Sequence, residues 1–159
     1  MEEILERLKE LNINYELAEH KAVYNMEEMD ALNPDIFKGA AICKNLFLRD
    51  QKGKRHFLVV LKEEKQANLS ELSKLLLSTK LSFASSERLM KYLSVIPGAV
   101  NPLSIINDKE KKVEVILDKD LLKEEKIGVH PGINTVTVIL SPLDLERYVK
   151  ENGNKLKLI

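Results

Sequence analysis

Two apolar runs, Ala40–Arg49 and Arg55–Lys62, flank the polar stretch Asp50-Gln51-Lys52-Gly53. Strand-length runs either side of a short turn with glycine predict a β-hairpin, and no other local signal in the chain is as strong. Upstream, residues 2–12 place Ile4, Leu5, Leu8 and Leu11 on one helical face. A short strand is expected from Tyr15 to Ala18, then a short helix over 25–32 that stops at Asn33-Pro34. Downstream, Asn68 caps a helix carrying Leu69, Leu72, Leu75 and Leu76, with Glu71 three residues past the cap. Another helix is expected over Ser86–Leu93. The last opens at Ser141-Pro142, with serine as cap and proline at the first helical position, and ends at Gly153. Strands are expected at Val113–Leu117, Asn134–Leu140 and Lys155–Ile159, with a helical turn at Asp118–Leu122. No strand–helix unit repeats, so the fold class is α+β: a mixed, largely antiparallel sheet flanked by helices.

The 159 residues, 44% of them hydrophobic, suffice for one core, and no linker or repeat divides them; residues 1–159 are expected to form one domain. The 25 basic and 25 acidic side chains cancel, so a polyanion must be held by a local patch rather than by bulk charge. The first residues, Met1-Glu2-Glu3-Ile4, are acidic where a secretory leader is basic, and no apolar run reaches the ~20 residues of a spanning helix. A single cysteine, Cys43, cannot form an internal disulfide. These features together predict a soluble cytoplasmic domain with no membrane partner. Cys43 and the three histidines, His20, His56 and His130, lack metal-ligand spacing, and no Walker loop or Rossmann glycine triplet is present, so no metal or cofactor is expected.

Six of the eleven glycines and prolines fall in two segments, Pro97–Pro102 and Gly128–Gly132. Each is either a tight turn or the stiffened wall of a site. Lys44 and Asn45 interrupt an otherwise apolar strand, and Lys44 shares a face with Ile42, Leu46 and Leu48. A lysine there either snorkels from an edge strand or points its ammonium into a cleft, where it suits an anion or a polarised carbonyl. Cys43 falls on the opposite face, as a core thiol or, paired with His130, as a nucleophile. Lys52, Lys54 and Arg55 at the hairpin tip form either a solvated turn or a phosphate-facing patch.

The blocks Glu19-His20, Val23-Tyr24, Glu27-Glu28, Lys44-Asn45-Leu46-Phe47-Leu48, Leu81-Ser82-Phe83-Ala84-Ser85, Gly98-Ala99-Val100-Asn101-Pro102, Val113–Asp118, Gly128-Val129-His130-Pro131 and Asn134-Thr135 occur in an informative order. With them the chain resembles the YbaK/prolyl-tRNA-synthetase-associated editing domain family, most closely the free-standing alanyl-tRNA(Pro) deacylases (PrdX-like or ProXp-ala proteins). The resemblance covers nearly the whole chain. It implies hydrolysis of an amino acid wrongly attached to tRNA, with Lys44 as the essential lysine. His20, Tyr24, Asn45, Gly98, Ala99, Asn101, Pro102, His130, Asn134 and Thr135 would bind substrate. Lys-Asn-Leu-Phe-Leu points to the alanine-removing branch. Three departures, Asn101 for the usual Thr, Tyr24-Asn25 for Phe-Thr, and Gly132 after His-Pro, are expected to border the amino-acid pocket and bear on substrate size. The implied partner is the acceptor end of aminoacylated tRNA(Pro), with docking on prolyl-tRNA synthetase also compatible.

Such chemistry answers a physical problem. A site built for proline discriminates against the smaller alanine by only ~1–3 kcal/mol per missing methylene, so a second sieve must hydrolyse the error. The ester is activated and lies beside a free ribose hydroxyl, so positioning and oxyanion stabilisation suffice. The competing expectations are a non-catalytic module that binds aminoacyl-tRNA or a free amino acid, and a hydrolase using the Cys43 thiol.

Overall fold

The computed structural model describes residues 1–159. Helix α1 (Glu2–Glu10) buries Ile4 and Leu8, the apolar stripe expected of it. Strand β1 (Glu16–Glu19) follows, then α2 (Met26–Asp30), whose Asn25 cap accepts the Glu28 amide at 2.8 Å. Asn33 and Pro34 do more than stop this helix. Asn33 caps a 3-10 helix, Pro34–Phe37, with proline in its first turn.

Strands β2 (Ala41–Arg49) and β3 (His56–Lys62) form the expected antiparallel hairpin, with Lys44 opposite Leu61 and Arg49 opposite His56. The remaining elements are α3 (Leu69–Leu75), β4 (Ser82–Phe83), α4 (Ser86–Leu93), a 3-10 helix Pro102–Asn107, β5 (Val113–Leu117), a 3-10 helix Lys119–Lys123, β6 (Ile127–Val129), β7 (Val136–Leu140), α5 (Pro142–Asn152) and β8 (Leu156–Leu158). Asn68, Ser85 and Ser141 each cap a helix by accepting the amide three residues on, and Gly153 ends α5 at φ +91°.

The strands make one mixed sheet in the order β1-β7-β6-β2-β3-β5-β8, with β4 also on β2. Four pairings are antiparallel and three parallel. One face packs against α1, α4, α5 and the helix Pro102–Asn107 to make the main core, which includes Phe47, Leu58, Val115, Leu145 and Tyr148. The other face is covered by α3 through Leu72 and Leu76, and by the 20–40 segment through Val23, Leu32 and Phe37.

One edge of β2 positions the site. Along that edge β6 pairs with only Ala41 and Ile42 of β2, and β4 with only Leu48 and Arg49. Between them Cys43–Leu46 have no strand partner on that edge, so the sheet has a gap in its interior. Neither β4 nor β6 is foreseen in the sequence. Gly128, taken there as part of a turn, is a strand residue opposite Ile42 and Ile139. No helix is long and apolar enough to cross a membrane.

Candidate active site

A cavity of about 290 Å³ opens at the gap in β2. Its floor is Ile42, Cys43, Lys44 and Asn45 from β2, with Gly128, Val129 and His130 from β6 and Thr137 from β7. Gly98, Ala99 and Val100 form one wall, His20 to Met29 another, and Ile133 and Asn134 complete the rim. The lining is apolar apart from a few converging polar groups, the usual composition of a small-molecule site.

Lys44 belongs to an interior strand, with β3 on one side and β6 and β4 on the other, so it does not snorkel from a sheet edge. Its ammonium donates to the main-chain carbonyl of Lys65, a neutral oxygen. The carboxyl that feels its charge is Glu63, which burial and the neighbouring Asp30 push up to about 7. Beside Lys44, the Asn45 Oδ1 is buried with no hydrogen-bond partner. An orphaned acceptor costs on the order of 1–3 kcal/mol unless a ligand supplies a donor.

His20 accepts or donates at both ring nitrogens: Nδ1 lies 2.9 Å from the Lys21 carbonyl and Nε2 3.0 Å from Thr137 Oγ1. A carbonyl can only accept, so Nδ1 carries the proton and the threonine hydroxyl donates to Nε2 in the neutral ring. Burial first, and then the nearby His20, lowers the His130 pKa, so at neutral pH it presents an uncharged imidazole. Gly98 takes φ +88°, a conformation glycine alone adopts without strain, and a Cβ there would meet nothing within 4 Å. In this loop the Ala99 amide donates to Ile96, while those of Gly98 and Val100 have no partner in the chain.

The structure thus brings Lys44, His20, Tyr24, Asn45, Gly98, Ala99, His130 and Asn134 to one cavity. It sets the other expected substrate residues apart. Asn101 is fully buried behind the loop, where its Nδ2 donates to the Ala99 carbonyl at 2.9 Å and its Oδ1 accepts the Ser104 amide at 3.0 Å. Pro102 is buried in the first turn of the helix that Asn101 caps. Thr135 meets the site only through its carbonyl, which accepts the His20 amide at 2.9 Å. Of the departures, Tyr24-Asn25 line the cavity, whereas Asn101 and Gly132 do not.

At the hairpin tip, Arg55 makes two 3.0 Å bonds to Glu114, stacks 4.7 Å above Phe57, and donates to the Leu76 and Leu77 carbonyls. It is spoken for and is not a free phosphate contact. Lys52 and Lys54 are exposed, but the tip begins six residues past Lys44, about 20 Å along the strand. Cys43 is buried and burial pushes its thiol up to about 12, so no thiolate forms at neutral pH. Thr137, Met26, Met29 and Ile133 line the cavity without being foreseen; of these only Thr137 carries a polar group, and within a β-branched strand it reads as an ordinary strand former.

A family model for the aminoacyl-tRNA editing domain matches residues 20–148, which span the cavity from His20 to Thr137. The chain is 48% identical over 156 residues to the prolyl-tRNA editing protein ProX of Acetoanaerobium sticklandii, covering 98% of this chain and 94% of that one. It is 39% identical over 158 residues to the mouse prolyl-tRNA synthetase associated domain-containing protein 1, covering 96% and 90%. Among solved structures, a candidate trans-editing enzyme for prolyl-tRNA synthetase superposes with a TM-score of 0.66 at 17% identity, over 89% of this chain and 83% of that chain. By the family match and these full-length relatives, the chain belongs to the aminoacyl-tRNA editing domain family.

Proposed function

We propose that the protein is a trans-acting deacylase that hydrolyses mischarged tRNA(Pro), and that alanine is the amino acid it removes. The observation that carries this reading is that Lys44 and Asn45, whose buried Oδ1 has no partner, line one cavity. An alanyl ester has two polar ends of matching kind, a carbonyl oxygen that accepts and an α-ammonium that donates. Lys44 binds the carbonyl oxygen and Asn45 the α-ammonium. The methyl group faces the apolar walls, and the prolyl-tRNA editing relative agrees with the choice of tRNA.

In the reaction, water attacks the carbonyl carbon and charge develops on the oxygen held by Lys44. A fixed cation there stabilises the transition state more than the ground state, which is what accelerates the step. The ester C–O bond to the ribose then breaks, the ribose oxygen takes the proton lost by water, and alanine and free tRNA leave. The adjacent ribose hydroxyl orients the water. The Gly98 and Val100 amides and the neutral His130 are available to hold the terminal nucleotide, with Asn134 at the rim.

The test is deacylation of tRNA(Pro) charged with alanine, proline, serine or cysteine, by wild type and Lys44→Ala. Selective loss of alanine that falls by at least a hundredfold in Lys44→Ala is the expected result. Folded wild-type protein that turns over none of the four would replace this reading with a non-catalytic binding module.

A further inference from the structure

Lys44 is held by an oxygen that carries no charge, and that oxygen is itself held in place. The Lys65 carbonyl accepts the Lys44 ammonium. At its other end Lys65 places Nζ 2.7 Å from Asp118 Oδ1 and 2.7 Å from Asp120 Oδ2. Asp118, at the end of β5, has a side chain only 1% exposed. Its Oδ2 accepts the Lys62 amide at 3.1 Å, and its Oδ1 also accepts the Asp120 amide at 3.0 Å. Between these anchors the chain turns, and the Lys65 amide closes on the Lys62 carbonyl at 3.1 Å.

We infer that Asp118 and Lys65 are positioning residues for Lys44: the buried carboxylate grips both ends of the 62–65 turn, and the turn's last carbonyl sets where the ammonium stands. This rests on the reading of Lys44 as the group that binds the ester oxygen. Two features favour positioning over simple stability. Asp118 already receives two backbone amides, so its burial does not by itself demand a lysine. A carbonyl occupies one of the three ammonium donors and leaves the positive charge intact, whereas a carboxylate in that place would neutralise the charge the oxyanion needs.

The experiment compares Lys65→Met, Lys65→Arg and the double variant Lys65→Met/Asp118→Asn with wild type. Three readouts are taken: kcat and KM on alanyl-tRNA(Pro), the melting temperature, and the rate of reductive methylation of Lys44 followed by peptide mass. Lys65→Met is expected to lower kcat at least tenfold with KM within threefold, and to speed methylation of Lys44 as its ammonium comes free. Lys65→Arg, which still reaches both carboxylates, is expected to retain most of the rate. The double variant removes the uncompensated carboxylate; it is expected to recover melting temperature but not kcat. The inference is overturned if kcat changes less than twofold in Lys65→Met, or if kcat returns with stability in the double variant. The methylation rate needs no substrate. Unchanged methylation overturns the positioning role even if the protein deacylates nothing, and faster methylation in an inactive protein keeps the role while the proposed reaction falls.

Discussion

Gly128 shows how little room the cavity floor has. A Cβ built there lies 2.7 Å from Ile42 Cδ1 and 3.0 Å from Thr137 Cγ2, both side chains that line the site. Gly128→Ala is therefore expected to push them inward, cost about 1–3 kcal/mol of stability and reduce kcat/KM by an order of magnitude or more. Parallel thermal melts and alanyl-tRNA(Pro) deacylation check both effects. Cys43→Ala, by contrast, is expected to leave turnover within about threefold, because its thiol, pushed up to about 12, takes no part. His56 sits in the core at 1% exposure, its ring centre 4.2 Å from that of Tyr92 and tilted to it by 36°, and its Nε2 2.9 Å from an Arg88 nitrogen. Burial and then the Arg88 charge push its imidazole from 6.5 down to about 4. The folded state thus prefers the neutral ring. That contribution is complete above pH 6.5, falls as the pH drops toward 4, and amounts to as much as about 3 kcal/mol. Urea midpoints measured from pH 7 to 4 are expected to show this slope, flattened in His56→Gln.

At the scale of elements, the Gly98 loop separates backbone effects from packing effects. With open space around its Cβ and φ +88°, Gly98→Ala meets strain alone, about 1 kcal/mol. The loss of activity is expected to exceed the loss of stability, since the Gly98 and Val100 amides shift; kinetics and melts on one preparation decide this. What the sequence made legible follows the same local logic. The β2–β3 hairpin and the Asn68 and Ser141 caps depend on neighbours a few residues apart, so their residue types declare them. Strand β6 is three residues long, contains Gly128, and exists only because β2 and β7 lie either side of it. No window of sequence carries that information. The same holds for Asn101, which looked like a pocket residue and is a buried cap, and for Arg55, whose partner Glu114 is 59 residues away. Lys44 was legible as an anomaly, a cation in an apolar strand, although what holds it is a main-chain atom and leaves no mark in the sequence.

For the whole molecule, a net charge of zero leaves no bulk attraction for a large polyanion, and the exposed Lys52 and Lys54 stand at the hairpin tip, away from the cavity. The slope of log kcat/KM against log salt is expected to stay shallower than about −2, and Lys54→Glu to change it little; a steeper slope would require a phosphate-binding surface well beyond the cavity. The sheet itself is uneven. Strands β2 and β3 pair over seven residues, while β2 and β6 share two, and those two adjoin Cys43 and Lys44. A junction so short opens at a lower free-energy cost than the strands around it. Amide hydrogens of Ile127–Val129 are expected to exchange with solvent well before those of β3 and β5. In mild urea the enzyme would then lose its activity while its core is still intact, so that its working lifetime in the cell is set by the weakest joint of the sheet and not by the stability of the fold.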